Sequence, residues 1–272
     1  MFPVIIDFGT WDLPLLGETQ VFLPTYGLLF ATSVLLAWAW FGRRARQIGI
    51  PDDQVFNLCF STLLGGIIGA KALLIVIDWR FYLNHPAEIL GTIRSAGVLL
   101  GGVIGGGLAF GYYARRNDLP LGGLADALVA PLALAQALGR LGCFSAGCCW
   151  GTPVDPDHPL AVIFTDPVAS AQTGVPLNQP RLVVQLIEMA FDLALAVTLT
   201  VLWRRRPARQ GTVFWAYVLL YGIGRGVIEF WRGDSHRGLF FGDVLSTSQL
   251  LSIVGVTVAT VVLLRGWRAG AR

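Results

Sequence analysis

The sequence predicts an all-α integral membrane protein: a bundle of seven transmembrane helices, N-terminus outside and C-terminus cytoplasmic. Composition, the length of the apolar runs and the placement of arginines between them carry that prediction. Hydrophobic residues make up 54% of the 272 residues and charged ones only 14%, and the mean hydropathy is positive, which a soluble domain of this size does not need. Crossing a hydrocarbon layer of ~30 Å takes about 20 apolar residues. Runs of that length fall at 23–41, 55–78, 89–113, 121–139, 182–203, 212–231 and 246–264.

Orientation follows from the basic residues. Arg43, Arg44 and Arg46 follow the first run, Arg115 and Arg116 the third, Arg204, Arg205, Arg206 and Arg209 the fifth, and Arg265, Arg268 and Arg272 the last. The alternate loops and span ends carry only scattered arginines: Arg80, Arg94, Arg140, Arg181, Arg232 and Arg237. By the positive-inside rule the first set is cytoplasmic, and an odd number of spans agrees. The net charge of +3 is therefore a topology signal, and no basic run with interleaved aromatics points to nucleic acid. Asp7, Asp12 and Glu18 precede the first run without a basic n-region, so no cleavable signal peptide is expected. No repeat or linker divides the chain. Residues 1–272 read as a single transmembrane domain with a long external loop at about 142–181, and loops of that length are usually functional.

Within the spans, glycine clusters at Gly65, Gly66 and Gly69 and again at Gly101, Gly102, Gly105, Gly106 and Gly107. Close helix packing through small-residue faces is the plain reading, and backbone lining a lipid-headgroup pocket is the sharper one. The polar residues at membrane depth are Lys71, Asp126, Gln136, Gln185, Glu188, Asp192, Tyr221, Arg225 and Glu229, joined by Arg140. A guanidinium near bilayer depth costs at least ~2.5–3.5 kcal/mol and cannot shed its charge, so such groups are expected to converge on one polar site with an anionic partner. A lipid phosphate is the expected partner. Tyr221, Arg225 and Glu229 are four apart and share one helical face. Arg140, Arg225, Arg232 and Lys71 outnumber the acids on the outer half, which predicts positive charge left free for a phosphate.

These motifs resemble the prolipoprotein diacylglyceryl transferases. The resemblance runs in order through Tyr26-Gly27, Gly69-Ala70-Lys71, Gly101-Gly102-Val103-Ile104-Gly105 and Asp126 to Pro131 leading to Gly139-Arg140-Leu141-Gly142. It continues through Gln185-Leu186-Ile187-Glu188, Tyr221 to Arg225 with Glu229-Phe230-Trp231-Arg232, and Leu245 to Ser252. It implies transfer of diacylglycerol from phosphatidylglycerol to the cysteine thiol of a lipobox-containing prolipoprotein, giving a thioether, by a multi-pass protein of the bacterial cytoplasmic (inner) membrane. It implies catalytic roles for Arg140, Arg225, Glu229 and Tyr26. Substrate-binding positions would be Lys71, Gly101, Gly102, Asp126, Cys143, Cys148, Gly151, Gln185, Glu188, Tyr221, Arg232 and Gln249. No cofactor and no metal are expected, and the partners are phosphatidylglycerol, the prolipoprotein and membrane lipids.

Guanidiniums at Arg140 and Arg225 would hold the phosphodiester and stabilise charge on the departing glycerol phosphate, because fork contacts suit phosphate geometry. Departures from the family pattern are Leu100, where a histidine usually precedes the Gly-Gly pair, and Cys143 and Cys148, where the signature loop usually has Asn and Glu. The proton acceptor is therefore open, with Glu229, Tyr26 or a water as candidates. His85, His158 and His236 read as solvated loop residues. Cys59 reads as a buried small hydrophobe. For Cys143, Cys148 and Cys149, a disulfide from Cys143 to one of the other two is the plain reading on an oxidising outer face. A metal site lacks the Cys-x-x-Cys spacing and a clear fourth ligand. A thiolate beside Arg140 is the third option. Two other functions fit the same residues: a family paralogue with another acceptor, or a transporter or binding protein for a small anionic or sulfur-containing solute.

Overall fold

The computed structural model describes residues 3–13, 17–92, 97–205, 207, 209–234, 239–240 and 245–270. His236, Arg94, Arg206, Arg237 and Arg272 lie outside the described residues. The elements run β1 (Val4–Leu13), β2 (Gly17–Pro24), α1 (Thr25–Gln47), α2 (Asp52–Ile77), α3 (Trp79–Asn84), α4 (Glu88–Gly91), α5 (Leu99–Arg116) and α6 (Leu121–Ala146). After these come β3 (Ala161–Ile163), α7 (Pro167–Thr173), β4 (Pro180–Leu182), α8 (Val184–Arg204), α9 (Thr212–Ile228) with a 3-10 turn at Glu229–Trp231, β5 (Leu239–Phe240), β6 (Leu245–Ser246) and α10 (Thr247–Gly270). Among the described residues the strands form three antiparallel two-stranded sheets, β1–β2, β3–β4 and β5–β6, so the protein is helical apart from small sheets.

Among the described residues six helices are long and apolar enough to cross a membrane: α1, α2, α6, α8, α9 with its 3-10 turn, and α10. The predicted run at 89–113 is not one helix. Its start falls in the short α4 and its main part in α5, which has 18 residues, holds six glycines and ends on Arg115 and Arg116. The β1–β2 hairpin has no counterpart in the sequence reading, because its strands do not alternate cleanly between apolar and polar residues.

The chain packs as two compact units, one of residues 41–124 and one of residues 1–40 with 125–272. In the first, α2 and α5 meet through glycine. A Cβ on Gly69 would collide with the Gly101 carbonyl and lie 2.8 Å from the Gly105 Cα, and one on Gly101 would lie 2.6 Å from the Leu73 Cβ. Small residues spaced by four let the two backbones touch, the close packing available to helices that share an apolar solvent. Phe41, Leu58 and Phe110 fill the core of this unit.

In the second unit Val129, Ala130 and Ala133 of α6 pack with Leu195, Ala196 and Leu199 of α8 and Val213 and Tyr217 of α9. α6 overruns its predicted end at residue 139 and stays helical through Ala146, where Gly147, at φ +75°, reverses the chain as only a residue without a Cβ does cheaply. Arg140 and Cys143 are thus helical residues, and the long loop starts later than its sequence suggests. That loop is itself built. β3 pairs with β4, α7 starts on Asp166, whose carboxylate accepts from the Val168 N–H (2.8 Å) and Ala169 N–H (3.3 Å), and Trp150 packs with Phe164, Ala169 and Val175.

Candidate active site

α6, α8 and α9 bring four predicted residues together in the second unit. The Arg140 Nε lies 3.0 Å from the Glu188 Oε2, and the Arg225 Nη1 lies 3.6 Å from the Glu188 Oε1. The same Arg225 nitrogen pairs with Glu229, one turn on, and the Arg225 Nη2 donates to the Ser248 Oγ at 3.1 Å. Glu188 and Glu229 are almost wholly buried, at 3% and 2% exposure, so the attraction acts where water does not screen it. The spacing of Tyr221, Arg225 and Glu229 does put them on one face, and Tyr221 stacks on Tyr217 with ring centroids 5.4 Å apart. Asp192, one turn beyond Glu188 on α8, is buried beside them, and its Oδ1 has no hydrogen-bond partner among the described residues. Phe191 and Ile228 line the same cluster.

The charge balance differs from the sequence expectation. Arg140 and Arg225 face Glu188, Glu229 and Asp192, so carboxylates outnumber guanidiniums in the cluster. Arg232 is held by Asp234 in a fork, Nε to Oδ1 at 3.0 Å and Nη2 to Oδ2 at 2.8 Å. Burial works against the Arg232 charge, but the Asp234 side chain together with negative charge at Cys149 and Glu188 outweighs it, and the guanidinium's pKa rises. Lys71 belongs to the other unit, where its ammonium donates to the Thr92 carbonyl. Among the described residues this cluster holds no positive surplus, because the sequence count placed acids by chain position and could not see which of them tertiary structure sets against each arginine.

Other predicted residues take positions that are clear in bonding terms. Gly151 pairs with Arg232 as an antiparallel bridge, and a Cβ there would collide with the Leu182 carbonyl, so glycine permits the close approach to the segment entering α8. The Gln185 Nε2 donates to the Cys148 carbonyl at 2.8 Å, tying α8 to the signature loop. Tyr26 packs on α6 at Gly142, where an added Cβ would sit 3.1 Å from the ring. Asp126 accepts the Gly211 and Phe214 N–H groups, each at 2.7 Å, and so caps α9 from another helix; it lies 14 residues before Arg140, about 21 Å along α6. Gln249 and Ser246 form a reciprocal capping box at the start of α10, with Ser246 N–H to Gln249 Oε1 at 2.9 Å and Gln249 N–H to Ser246 Oγ at 3.2 Å. Gly101 and Gly102 lie in the α2–α5 contact of the first unit, Gly102 with an added Cβ 3.4 Å from the Gly66 carbonyl.

The sequence reading counted Asp192 among the polar groups expected to converge, without assigning it a role, and did not choose Ser248 or Asp234. Ser248 and Asp234 carry no comparable signal, since their partners come from another helix and from a turn.

The three loop cysteines are free thiols, and no disulfide joins Cys143 to Cys148 or Cys149. Their sulfurs lie within 4.8 Å of one another. Thiol hydrogen bonds from Cys143 and then Cys148 hold the Cys149 pKa low, with the Arg232 and Arg140 charges acting in the same direction.

Six helices long and apolar enough to cross a membrane, among the described residues, and a buried cluster of two guanidiniums and three carboxylates in the second unit define a multi-pass membrane protein with an internal ionic site. The prolipoprotein diacylglyceryl transferase family model matches residues 16–265, and the chain belongs to that family. It is 35% identical over 234 residues to the phosphatidylglycerol–prolipoprotein diacylglyceryl transferase of Clostridium tetani, covering 86% of this chain and 89% of the relative. A second protein of that name in Clostridium perfringens is 34% identical over 231 residues, covering 84% and 85%. One in Synechococcus elongatus is 33% identical over 237 residues, covering 85% and 79%.

Proposed function

We propose that this protein transfers the diacylglyceryl group of phosphatidylglycerol to the thiol of a lipoprotein-precursor cysteine, giving a thioether, in the bacterial cytoplasmic membrane. The observation that carries the reading is the convergence of Arg140 from α6 and Arg225 from α9 on the Glu188 carboxylate of α8, in a chain of this family. A carboxylate bound by two guanidiniums marks a place where an anion of similar size fits. The phosphodiester takes that place, and fork contacts hold it. The acceptor sulfur attacks the glycerol carbon that bears the phosphate. The C–S bond forms, the C–O bond breaks, and its electron pair leaves with glycerol phosphate, whose growing charge the two arginines stabilise.

Because the Glu188 carboxylate occupies the position between the two guanidiniums, the lipid enters by displacing it from at least one arginine. The displaced Glu188, with Glu229 and Asp192, supplies carboxylates to accept the thiol proton. That offsets the loss of a histidine at Leu100. Tyr26, Cys143, Cys148, Gly151, Tyr221 and Arg232 belong to this proposal as substrate-side positions. Asp126 and Gln249 serve it as helix caps.

The same proposal holds that the chain spans the membrane seven times, N-terminus outside. α5, with 18 residues, is about 27 Å long and close to the thickness it must cross. The arginine pattern supports a cytoplasmic end for it.

Purified protein incubated with labelled phosphatidylglycerol and a lipobox peptide should yield labelled thioether peptide and free glycerol phosphate. Lipid consumed without labelled peptide would select a paralogue with another acceptor, which the Leu100, Cys143 and Cys148 departures favour. Phospholipid left intact would overturn the transferase reading.

A further inference from the structure

We infer that Cys143, Cys148 and Cys149 form a three-sulfur site for a thiophilic metal ion of the zinc class. The spacing, one cysteine followed five residues later by an adjacent pair, does not match the usual Cys-x-x-Cys pattern, but the backbone makes up for it. Cys143 stands in the last turn of α6. Gly147 at φ +75° and Cys149 at φ +58° then fold the chain back, with the Cys148 N–H on the Cys143 carbonyl at 3.1 Å. All three sulfurs come within 4.8 Å of one another. Around a tetrahedral ion with ~2.3 Å metal–sulfur bonds they would stand about 3.8 Å apart, so the cluster needs to contract by about 1 Å at most. A disulfide would use two of these sulfurs and strand the third.

The loop is held from both sides, as a preorganised ligand set requires. Gln185 holds the Cys148 carbonyl at 2.8 Å, the Thr173 Oγ1 donates to the Gly147 carbonyl at 3.1 Å, and Trp150 is packed in its own small core. The anchoring residue is itself fixed by burial: Gln185 is fully buried, and its amide nitrogen is committed to the Cys148 carbonyl. Three thiolates on a dication leave one net negative charge, and the Arg140 and Arg232 guanidiniums lie within electrostatic range of Cys149. Binding releases the thiol protons and changes no oxidation state. Soft thiolate ligands select zinc and related ions over magnesium or calcium. The inference does not depend on which acceptor the transferase uses.

Full-length protein in detergent, purified reduced and freed of metal, is titrated with Co(II) and then with Zn(II). One equivalent of Co(II) should raise thiolate-to-cobalt charge-transfer absorption, and one equivalent of Zn(II) should remove it. Cys143→Ser, Cys148→Ser and Cys149→Ser should each weaken binding by more than the ~100-fold that an outer-shell change costs, and Cys59→Ser, on α2, should leave it unchanged. Should a loop variant fail to accumulate, wild-type protein decides the matter by alkylation and mass spectrometry. Zn(II) must then protect the three loop cysteines together and not Cys59. No cobalt absorption in reduced wild type, or equal affinity in Cys148→Ser, would overturn the site.

Discussion

Arg140 and Arg225 share one carboxylate, and the difference between arginine and lysine decides what that means. Lysine preserves a positive charge opposite Glu188 but loses the planar fork that spans a carboxylate and then a phosphodiester. Arg140→Lys and Arg225→Lys are each expected to lower transfer from phosphatidylglycerol by about 100-fold or more, the cost of losing one aimed donor to a developing anion. Membrane levels should stay near wild type, because the ion pair with Glu188 survives in reduced form. An initial-rate assay beside an immunoblot of the membrane fraction checks both halves, and full activity in either variant would remove the phosphate clamp. At this scale the sequence showed that Arg140, Arg225 and Glu229 matter, because a charge at membrane depth is conspicuous. It did not show that Arg232 answers to Asp234, or that Arg140 and Arg225 share Glu188.

Helices here are stabilised at their ends and along their glycine faces, and each device makes its own prediction. Asp126 holds two N–H groups at the start of α9 from a separate helix. Asp126→Ala should lower stability by about 1–2 kcal/mol, as the loss of a side-chain cap does, with the affinity for phosphatidylglycerol unchanged in the folded fraction. Thermal unfolding in detergent together with lipid titration separates the two effects, and weakened lipid binding without destabilisation would return Asp126 to the substrate site. Along the α2–α5 face, Gly69→Ala forces a methyl into the Gly101 and Gly105 backbone and should cost about 1–3 kcal/mol. On the same α5, Gly107 meets nothing within 4 Å, so Gly107→Ala should be neutral or stabilising by up to about 1 kcal/mol. Comparing the two melting temperatures tests whether the glycines serve packing, and equal shifts would count against that.

For the molecule as a whole, the question is whether α5 crosses the membrane. Reporter fusions after Arg46, Arg116 and Arg209 should read cytoplasmic, and fusions near Asp157 and Asp234 external. The fusion after Arg116 discriminates most sharply: if α5 lay on one side only, residue 116 would report the face opposite to Arg46. Every later span would then be inverted. An external signal at Arg116 or Arg209 would reject seven spans.

By itself the sequence determined the membrane class, the approximate place of six spanning helices and the family, because apolar run length, arginine asymmetry and ordered short motifs are properties of one strand of chain. It also located the arginines at depth, since no burial needs to be known to see a charge inside an apolar run. Only the tertiary structure decided who partners whom. It joined Glu188 to two arginines from different helices, turned Asp126 and Gln249 into caps, extended α6 past Arg140 and gathered three cysteines whose spacing fits no local metal motif. The reason is range: propensity and hydropathy act over a few turns, whereas an ion pair or a thiol cluster depends on distances that only packing between helices and loops sets.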